Sequence, residues 1–136
     1  MSDISAQDAL IMLMVMVSAS DRSMNDQELS KIGQVVSSFP VFEGYSEERL
    51  MLTVETASHA LSEDEGLKSV LSAVASAVPD RLRDTAYACG VEVAAADLSL
   101  EQEELRMLQI IRDTLGLDKL TVAAIERSAM ARYRGA

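Results

Sequence analysis

One ten-residue stretch occurs twice in this chain. Residues 20–29 read SDRSMNDQEL, and residues 96–105 read ADLSLEQEEL, 76 positions further along. Asp, Ser, an apolar residue, Glu and Leu recur at the same offsets, and the apolar residues on both sides stay in register. Similarity at a fixed offset indicates one supersecondary unit used twice. The pattern predicts that this unit is a helix, an acidic turn and a second helix.

Helical periodicity extends over the whole chain. Leu, Val, Ile, Met and Ala recur at helical spacing, and no short window alternates in the manner of a strand. The sequence therefore predicts an all-α fold, a compact bundle of about seven helices with an internal pseudo-repeat. The helices are expected at about residues 5–20, 23–39, 46–61, 62–78, 81–96, 99–115 and 118–133.

Short capping motifs set several of these boundaries. Ser23 with Asp26, and Ser62 with Glu65, have the spacing of a capping box at a helix start. Gly116 is predicted to end the sixth helix, because glycine adopts a positive φ without strain. No linker is long enough to divide the chain, so residues 1–136 are predicted to form a single domain.

Two of the predicted helices are expected at the centre of the bundle. The first is apolar on nearly every face, which is typical of a helix that neighbours surround. The fifth is rich in Ala and has Gly90 in its middle, so a neighbouring helix can approach it closely. Only 4% of the residues are aromatic and none is Trp, so the core must be built from aliphatic side chains and Met.

The chain is strongly acidic, with a formal net charge of −10. Such a surface repels phosphate backbones, which argues against nucleic acid as a partner. The charge is uneven, since residues 1–68 carry a net charge of −8 and residues 69–136 a net charge of −2. We therefore expect the N-terminal half to attract cations or basic protein surfaces more strongly.

The cysteine content and the apolar runs indicate a compartment. One cysteine, Cys89, rules out an intrachain disulfide and fits a reducing environment. The longest apolar run, residues 10–17, has eight residues, whereas a bilayer-spanning helix takes roughly 20. Asp3 and Asp8 precede this run, where a signal peptide would carry basic residues. The sequence predicts a soluble, cytoplasmic protein without direct membrane insertion.

Each copy of the repeat places an Asp at the end of one helix and a Glu about one turn into the next. Asp21 and Glu28 are seven positions apart, as are Asp97 and Glu104. A pseudo-twofold fold would bring these four carboxylates together, and such hard oxygen ligands suit Ca²⁺, Mg²⁺ or Mn²⁺. Alternatively, each pair caps its own helix, since carboxylates satisfy free N–H groups at helix starts. An EF-hand is excluded, because neither loop has Gly at its sixth position or Glu at its twelfth.

No catalytic residue is predicted. His59 is the only imidazole and is expected at the surface or at a helix end. Cys89 falls at a core-facing position and is expected to be an inert small hydrophobe, a reactive thiol being the alternative. No Gly-rich phosphate loop or nucleotide fingerprint is present, so no organic cofactor is predicted.

Residues 15–32 and 91–108 resemble the two halves of the tellurite-resistance TerB family and its wider TerB-like domain. Members of that family carry an apolar helix that ends in Ala-x-Asp, a turn, and a Glu that opens the next helix. The resemblance implies an all-helical bacterial stress-response protein that binds a divalent metal and acts in complexes near the inner membrane, without established catalysis. The positions that match the family's acidic motif are Asp21, Glu28, Asp97 and Glu104.

The sequence supports one leading function and one alternative. The leading function is a non-enzymatic TerB-like module that binds a divalent cation, protein partners or both through its paired acidic turns. The alternative is a metal-free interaction scaffold whose acidic surface docks a basic partner. A hydrolase that uses the same carboxylates with a metal-bound water has no nucleophile or base pattern to support it. The family often has Gly after each Asp, where this chain has Arg22 and Leu98, so we expect its turns to differ.

Overall fold

The computed structural model describes residues 4–19, 24–95 and 102–136. These residues form seven α-helices and two short 3₁₀ turns, the latter at Pro40–Phe42 and Asp80–Leu82. The predicted all-α bundle of seven helices is confirmed, whereas the internal pseudo-repeat stays a prediction. The helices are α1 (Ala6–Ser18), α2 (Asp26–Ser38), α3 (Glu47–Ser62), α4 (Gly66–Ala77), α5 (Arg83–Ala95), α6 (Gln102–Leu115) and α7 (Lys119–Arg132).

The first central helix is α1. Residues 9–18 are all buried, and the helix packs on α3, α4, α5 and α6. Because neighbours lie on every side, side chains on all faces of this helix are part of the core. Burial of apolar surface stabilises the folded state by about 25 cal/mol per Å² removed from water. The predicted burial of the first helix is confirmed.

The second central helix is α5, which packs on α1, α2, α6 and α7. A Cβ atom placed on Gly90 would lie 3.0 Å from Leu13 Cδ2 and 3.5 Å from Val17 Cγ2, both on α1. The missing side chain therefore lets the two central helices approach closely, as the small residues of this segment predict.

The sequence repeat corresponds to two helix pairs, α1 with α2 and α5 with α6, and these pairs pack against each other where α1 crosses α5. α2 packs on α5, and α6 packs on α1. The second helix of each hairpin thus contacts the first helix of the other, and the two hairpins share one core. In the described part of the chain, no helix is both long enough and apolar enough to cross a membrane.

The start of α2 corrects one predicted cap. Asn25 is the N-cap, and its Oδ1 accepts a hydrogen bond from the Glu28 N–H at 2.8 Å. In return, the Asn25 N–H donates to Glu28 Oε1 at 3.0 Å. Ser23 lies outside the described residues, but the capping box predicted for it with Asp26 is wrong, because Asp26 is itself the first helical residue. The longer Glu side chain reaches back to the N-cap N–H, as a capping box requires.

The junction of α3 and α4 corrects a second predicted cap. Ser62 is the last residue of α3, and its Oγ donates to the His59 carbonyl at 2.6 Å. Glu65 has a φ of 60° and no capping hydrogen bond from its side chain, so the predicted Ser62–Glu65 capping box is wrong. A Cβ atom on Gly66 would lie 2.2 Å from the Ala60 carbonyl oxygen. The junction is therefore set by a backbone turn that only glycine fits.

Candidate functional site

Two of the four predicted metal ligands, Asp21 and Asp97, lie outside the residues that the structure describes. Glu28 and Glu104 are described, and they stand in the first turns of α2 and α6. The geometry of the site is given by these two glutamates and by the helix ends that lead into the acidic turns.

Glu28 is half-buried and belongs to the capping box of α2. This is the helix-capping role that the sequence offers as the alternative to metal ligation. The cap uses one carboxylate oxygen, Oε1, at 3.0 Å from the Asn25 nitrogen. A carboxylate has two oxygens, so Oε2 can accept a further bond or a cation without loss of the cap.

Glu104 occupies the corresponding place in α6, but its surroundings differ. The residue is only 3% exposed, and its neighbours Met107 and Leu108 on the same helix are also buried. Removing a carboxylate from water carries a cost that interactions with other groups must offset. The two glutamates of the repeat are therefore not equivalent, since one caps a helix at the surface and the other is enclosed.

The ends of α1 and α5, which lead into the acidic turns, lie near the crossing of these helices. Val17 Cγ2 would lie 3.5 Å from a Cβ atom placed on Gly90, and the last described residues before the turns are Ala19 and Ala95. Helical geometry separates Cα atoms two and five residues apart by roughly 5 and 9 Å, so the turns start within about 20 Å of each other.

Within the described residues, no three His, Cys, Asp or Glu side chains are grouped so that they could hold a metal ion. Glu28 and Glu104 alone therefore do not form a metal centre. A centre of the predicted kind needs the carboxylates of Asp21 and Asp97 as well. Their hard oxygen atoms are of the type that Ca²⁺, Mg²⁺ and Mn²⁺ prefer.

The structure reveals a buried acidic residue that the sequence analysis did not single out, Glu92 in α5. It is 7% exposed, and Tyr133 donates its O–H to Glu92 Oε2 at 2.6 Å. Lys31 Nζ lies 3.6 Å from the same oxygen, and Arg132 pairs with Oε1. These four residues, the Glu92 cluster, join α2, α5 and the C-terminal end of α7.

The Glu92 cluster is a closed network, since both carboxylate oxygens are engaged by cations or by a hydroxyl. Its chemistry is that of a structural tie between three helices. One sequence signal could have found it. Glu92 is an acidic residue within the otherwise apolar run CGVEVAAA of residues 89–96, and an ionisable group in such a run requires a partner.

A second polar cluster joins α1 to α3. Asp8 accepts hydrogen bonds from Arg49 Nε at 3.1 Å and Arg49 Nη2 at 3.0 Å, and from the Tyr45 O–H at 2.7 Å. Burial alone would raise the pKa of the Asp8 carboxyl. The hydrogen bonds from Arg49 and Tyr45, with the Arg49 charge, outweigh it and lower the pKa to about 2.

A third polar cluster joins α5, α6 and α7. Tyr87 donates its O–H to Glu126 Oε2 at 2.5 Å, and Arg112 Nη1 donates to the same oxygen at 3.2 Å. Burial, together with the hydrogen bond to Glu126, raises the pKa of Tyr87 to about 12. The phenol therefore stays protonated at neutral pH and acts as a hydrogen-bond donor.

The two remaining residues with reactive side chains lie where the sequence predicts them. Cys89 is fully buried, and burial raises the pKa of its thiol to about 12. The thiolate, which is the reactive form, is therefore disfavoured, in agreement with an inert core residue. His59 is exposed near the end of α3.

Comparison with known protein families gives a match over most of the chain. The family described as Tellurite resistance protein TerB matches residues 7–127. Searches of curated proteins and of solved structures each found no match. The matched region begins in α1, contains both acidic turns and extends into α7. Because it spans far more than half of the sequence, this protein belongs to the TerB tellurite-resistance family.

Proposed function

We propose that this protein is a non-enzymatic TerB-family module that binds a divalent cation, a protein partner or both through its two acidic turns. Membership of the TerB family supports a stress-response role. The observation that carries the proposal is the crossing of α1 and α5 at Gly90, because both acidic turns start near it and can reach a common site.

The cation would be Ca²⁺, Mg²⁺ or Mn²⁺, held by oxygen ligands. Glu28 can keep its cap through Oε1 and offer Oε2. A bound cation would supply the positive charge that lets several carboxylates share one place, and would fasten the two hairpins to each other. The proposed ligands are Asp21, Glu28, Asp97 and Glu104.

Thermal unfolding with and without divalent cations tests this proposal. A cation at 100 times its Kd should stabilise the folded protein by roughly 2.7 kcal/mol. We expect Ca²⁺, Mg²⁺ or Mn²⁺ to raise the melting temperature relative to protein in chelator. The double substitution Asp21→Asn with Asp97→Asn should abolish this shift, because it removes one ligand charge from each turn.

A matched control separates ligation from a general charge effect. Asp64→Asn with Asp113→Asn removes the same charge from two exposed positions outside the acidic turns and should leave the cation-induced shift intact. A melting temperature that millimolar Ca²⁺, Mg²⁺ and Mn²⁺ all leave unchanged would contradict the cation site.

The alternative is a metal-free scaffold whose acidic surface docks a basic partner. A specific observation favours it. Exposed acidic side chains are concentrated on α3 and on the junction that follows it, at Glu47, Glu48, Glu55, Glu63 and Asp64. The negative electrostatic potential of such a cluster of carboxylates accelerates association with basic surfaces. This function requires that binding to a basic partner persists in chelator.

A further inference from the structure

A groove lies between α6 and α7, with α5 as its floor. Both helices pack on α5, and the Arg112–Glu126 ion pair bridges α6 and α7. The groove has a volume of about 880 Å³, and its lining includes Val91 and Ala94 on the floor and Leu105 and Met130 on the walls. Leu105 is 45% exposed and Met130 is 57% exposed. We call it the α5–α7 groove, because α5, α6 and α7 all line it. It presents large apolar side chains to solvent.

Cations lie beside this apolar surface. Arg106 and Arg134 line the α5–α7 groove, and neither makes an ion pair with another described residue. Arg112 also lines the groove, but it is paired with Glu126 at 3.2 Å. The lining also includes Glu103 and Glu126, so its three arginines give it a net charge of +1. In a chain of net charge −10, a net positive apolar groove indicates an occupant whose apolar face is flanked by acidic groups.

The outer face of α3 has this character. The helix packs on α1 and α4, and Glu48, Met51, Leu52 and Glu55 remain exposed on its other side. Their spacing of three, four and seven residues places them on one stripe of the helix. Met51 is 47% exposed and Leu52 is 64% exposed. Neither glutamate of this α3 stripe makes an ion pair with another described residue.

We propose that the α3 stripe of one molecule docks in the α5–α7 groove of a second copy of this chain. The two apolar side chains of the stripe would cover those of the groove, removing both pairs from water. Its two glutamates would meet Arg106 and Arg134, so charges that form no ion pair with a described residue of their own molecule gain a partner in the second copy.

The uneven charge of the chain favours a second copy in this orientation. Residues 1–68 carry a net charge of −8 and residues 69–136 a net charge of −2. A contact from α3 to the α5–α7 groove places the strongly acidic half against the weakly acidic one, whereas two N-terminal halves would repel each other. At physiological salt the Debye length is about 8 Å, so the contact charges outweigh the distant ones.

The two surfaces are different, so the contact is head-to-tail and can continue into a ring or a linear assembly. One helix in one groove is small for an interface, and we expect association in the micromolar range rather than tighter. This assembly does not depend on the proposed cation site, and chelator should not alter it.

Sedimentation velocity of the full chain tests the proposal. Between about 10 μM and 1 mM, the average mass should rise with protein concentration, and added salt should weaken the association. The groove variant Arg106→Glu with Arg134→Glu should weaken association about tenfold or more, and so should the stripe variant Glu48→Arg with Glu55→Arg. Mixing the two variants should restore assembly, because each then carries a surface that complements the other.

A charge-matched control is Lys68→Glu with Arg81→Glu, which changes exposed residues outside both surfaces and should assemble like the unmodified chain. Unchanged melting temperatures would show that the variants are folded. A chain that is monomeric at every concentration, or variants that fail to complement each other, would overturn the proposal. Binding of an acidic amphipathic peptide to the groove of a strictly monomeric chain would assign the groove to another protein and overturn it too.

Discussion

α1 and α5 are both central in the bundle, but only α5 buries ionisable side chains in its middle. α1 buries residues 9–18, and its one polar group there, the Ser18 hydroxyl, donates to the Met14 carbonyl of the same helix at 3.0 Å. α5 buries Tyr87 and Glu92, and both bond to other helices. α1 therefore stabilises the bundle through non-directional apolar contacts. α5 also makes specific hydrogen bonds and ion pairs, which determine the helices that can pack against it.

The sequence repeat makes this comparison specific. At the offset of 76, the position in α1 that corresponds to Glu92 is Met16. Met16 is 1% exposed within the apolar run, whereas Glu92 meets Lys31 and the end of α7. Substituting Glu at position 16 and Met at position 92 therefore measures how strongly α1 depends on apolar contacts and α5 on polar ones.

The largest effect is expected from Met16→Glu. The substitution places a carboxylate in α1 within residues 9–17, all of which are buried and apolar. An unpartnered buried charge should cost about 4 kcal/mol or more, a large part of the roughly 5–15 kcal/mol by which a native domain is stable. Urea unfolding followed by circular dichroism measures the loss. Met16→Leu is the control and should cost less than about 1.5 kcal/mol.

Glu92→Met should have the next largest effect. It removes the carboxylate that Lys31 and Arg132 share, and the Lys31 side chain is only 17% exposed. Because the Arg132 side chain is 50% exposed and can turn to water, we expect a loss of about 2–3 kcal/mol, below the usual cost of breaking a buried pair.

A double-mutant cycle sharpens this second prediction. Lys31→Met in the Glu92→Met background removes the cation that the first change left without its carboxylate. The double variant should regain about 1 kcal/mol relative to simple addition of the two single losses. Strictly additive losses would show that the pair contributes no coupling and that α5 depends on apolar contact just as α1 does.

The smallest effect is expected at the edge of α1, from Asp8→Asn. The folded pKa of Asp8 is about 2, below its ordinary value of 3.8. A lowered folded pKa stabilises the protein above the unfolded value, and this contribution is lost as the pH falls through 3.8 towards 2. The Arg49 side chain is 55% exposed, so we expect only about 1 kcal/mol at pH 7. Urea unfolding of both proteins should give curves that converge between pH 4 and pH 2, and a constant gap would contradict this assignment.

The parts of the fold that depend on local pattern could be predicted from the sequence. The apolar run of residues 10–17 predicted the buried centre, and Gly116 was predicted to end a helix and has a φ of 69°. Local signals failed where two motifs competed. Ser23 with Asp26 and Asn25 with Glu28 have the same spacing, and the reach of the glutamate decides between them.

The polar contacts between distant helices could not be predicted. The residues that engage Glu92 come from position 31 and from positions 132 and 133, and no periodic pattern links such separations. The two described glutamates among the predicted ligands show the same contrast between local and long-range contacts. Glu28 could be recognised as a cap from its own helix start, whereas the burial of Glu104 depends on packing from elsewhere in the chain.

The Glu92 cluster also has a consequence for synthesis on the ribosome. Its carboxylate lies in the fifth helix, but two of its partners, Arg132 and Tyr133, are translated some forty residues later. A nascent chain that has emerged only as far as α5 holds an acidic group in its core without these partners. Domains tend to fold as units during translation, and here the last turn of α7 must leave the exit tunnel before the final native interactions can form.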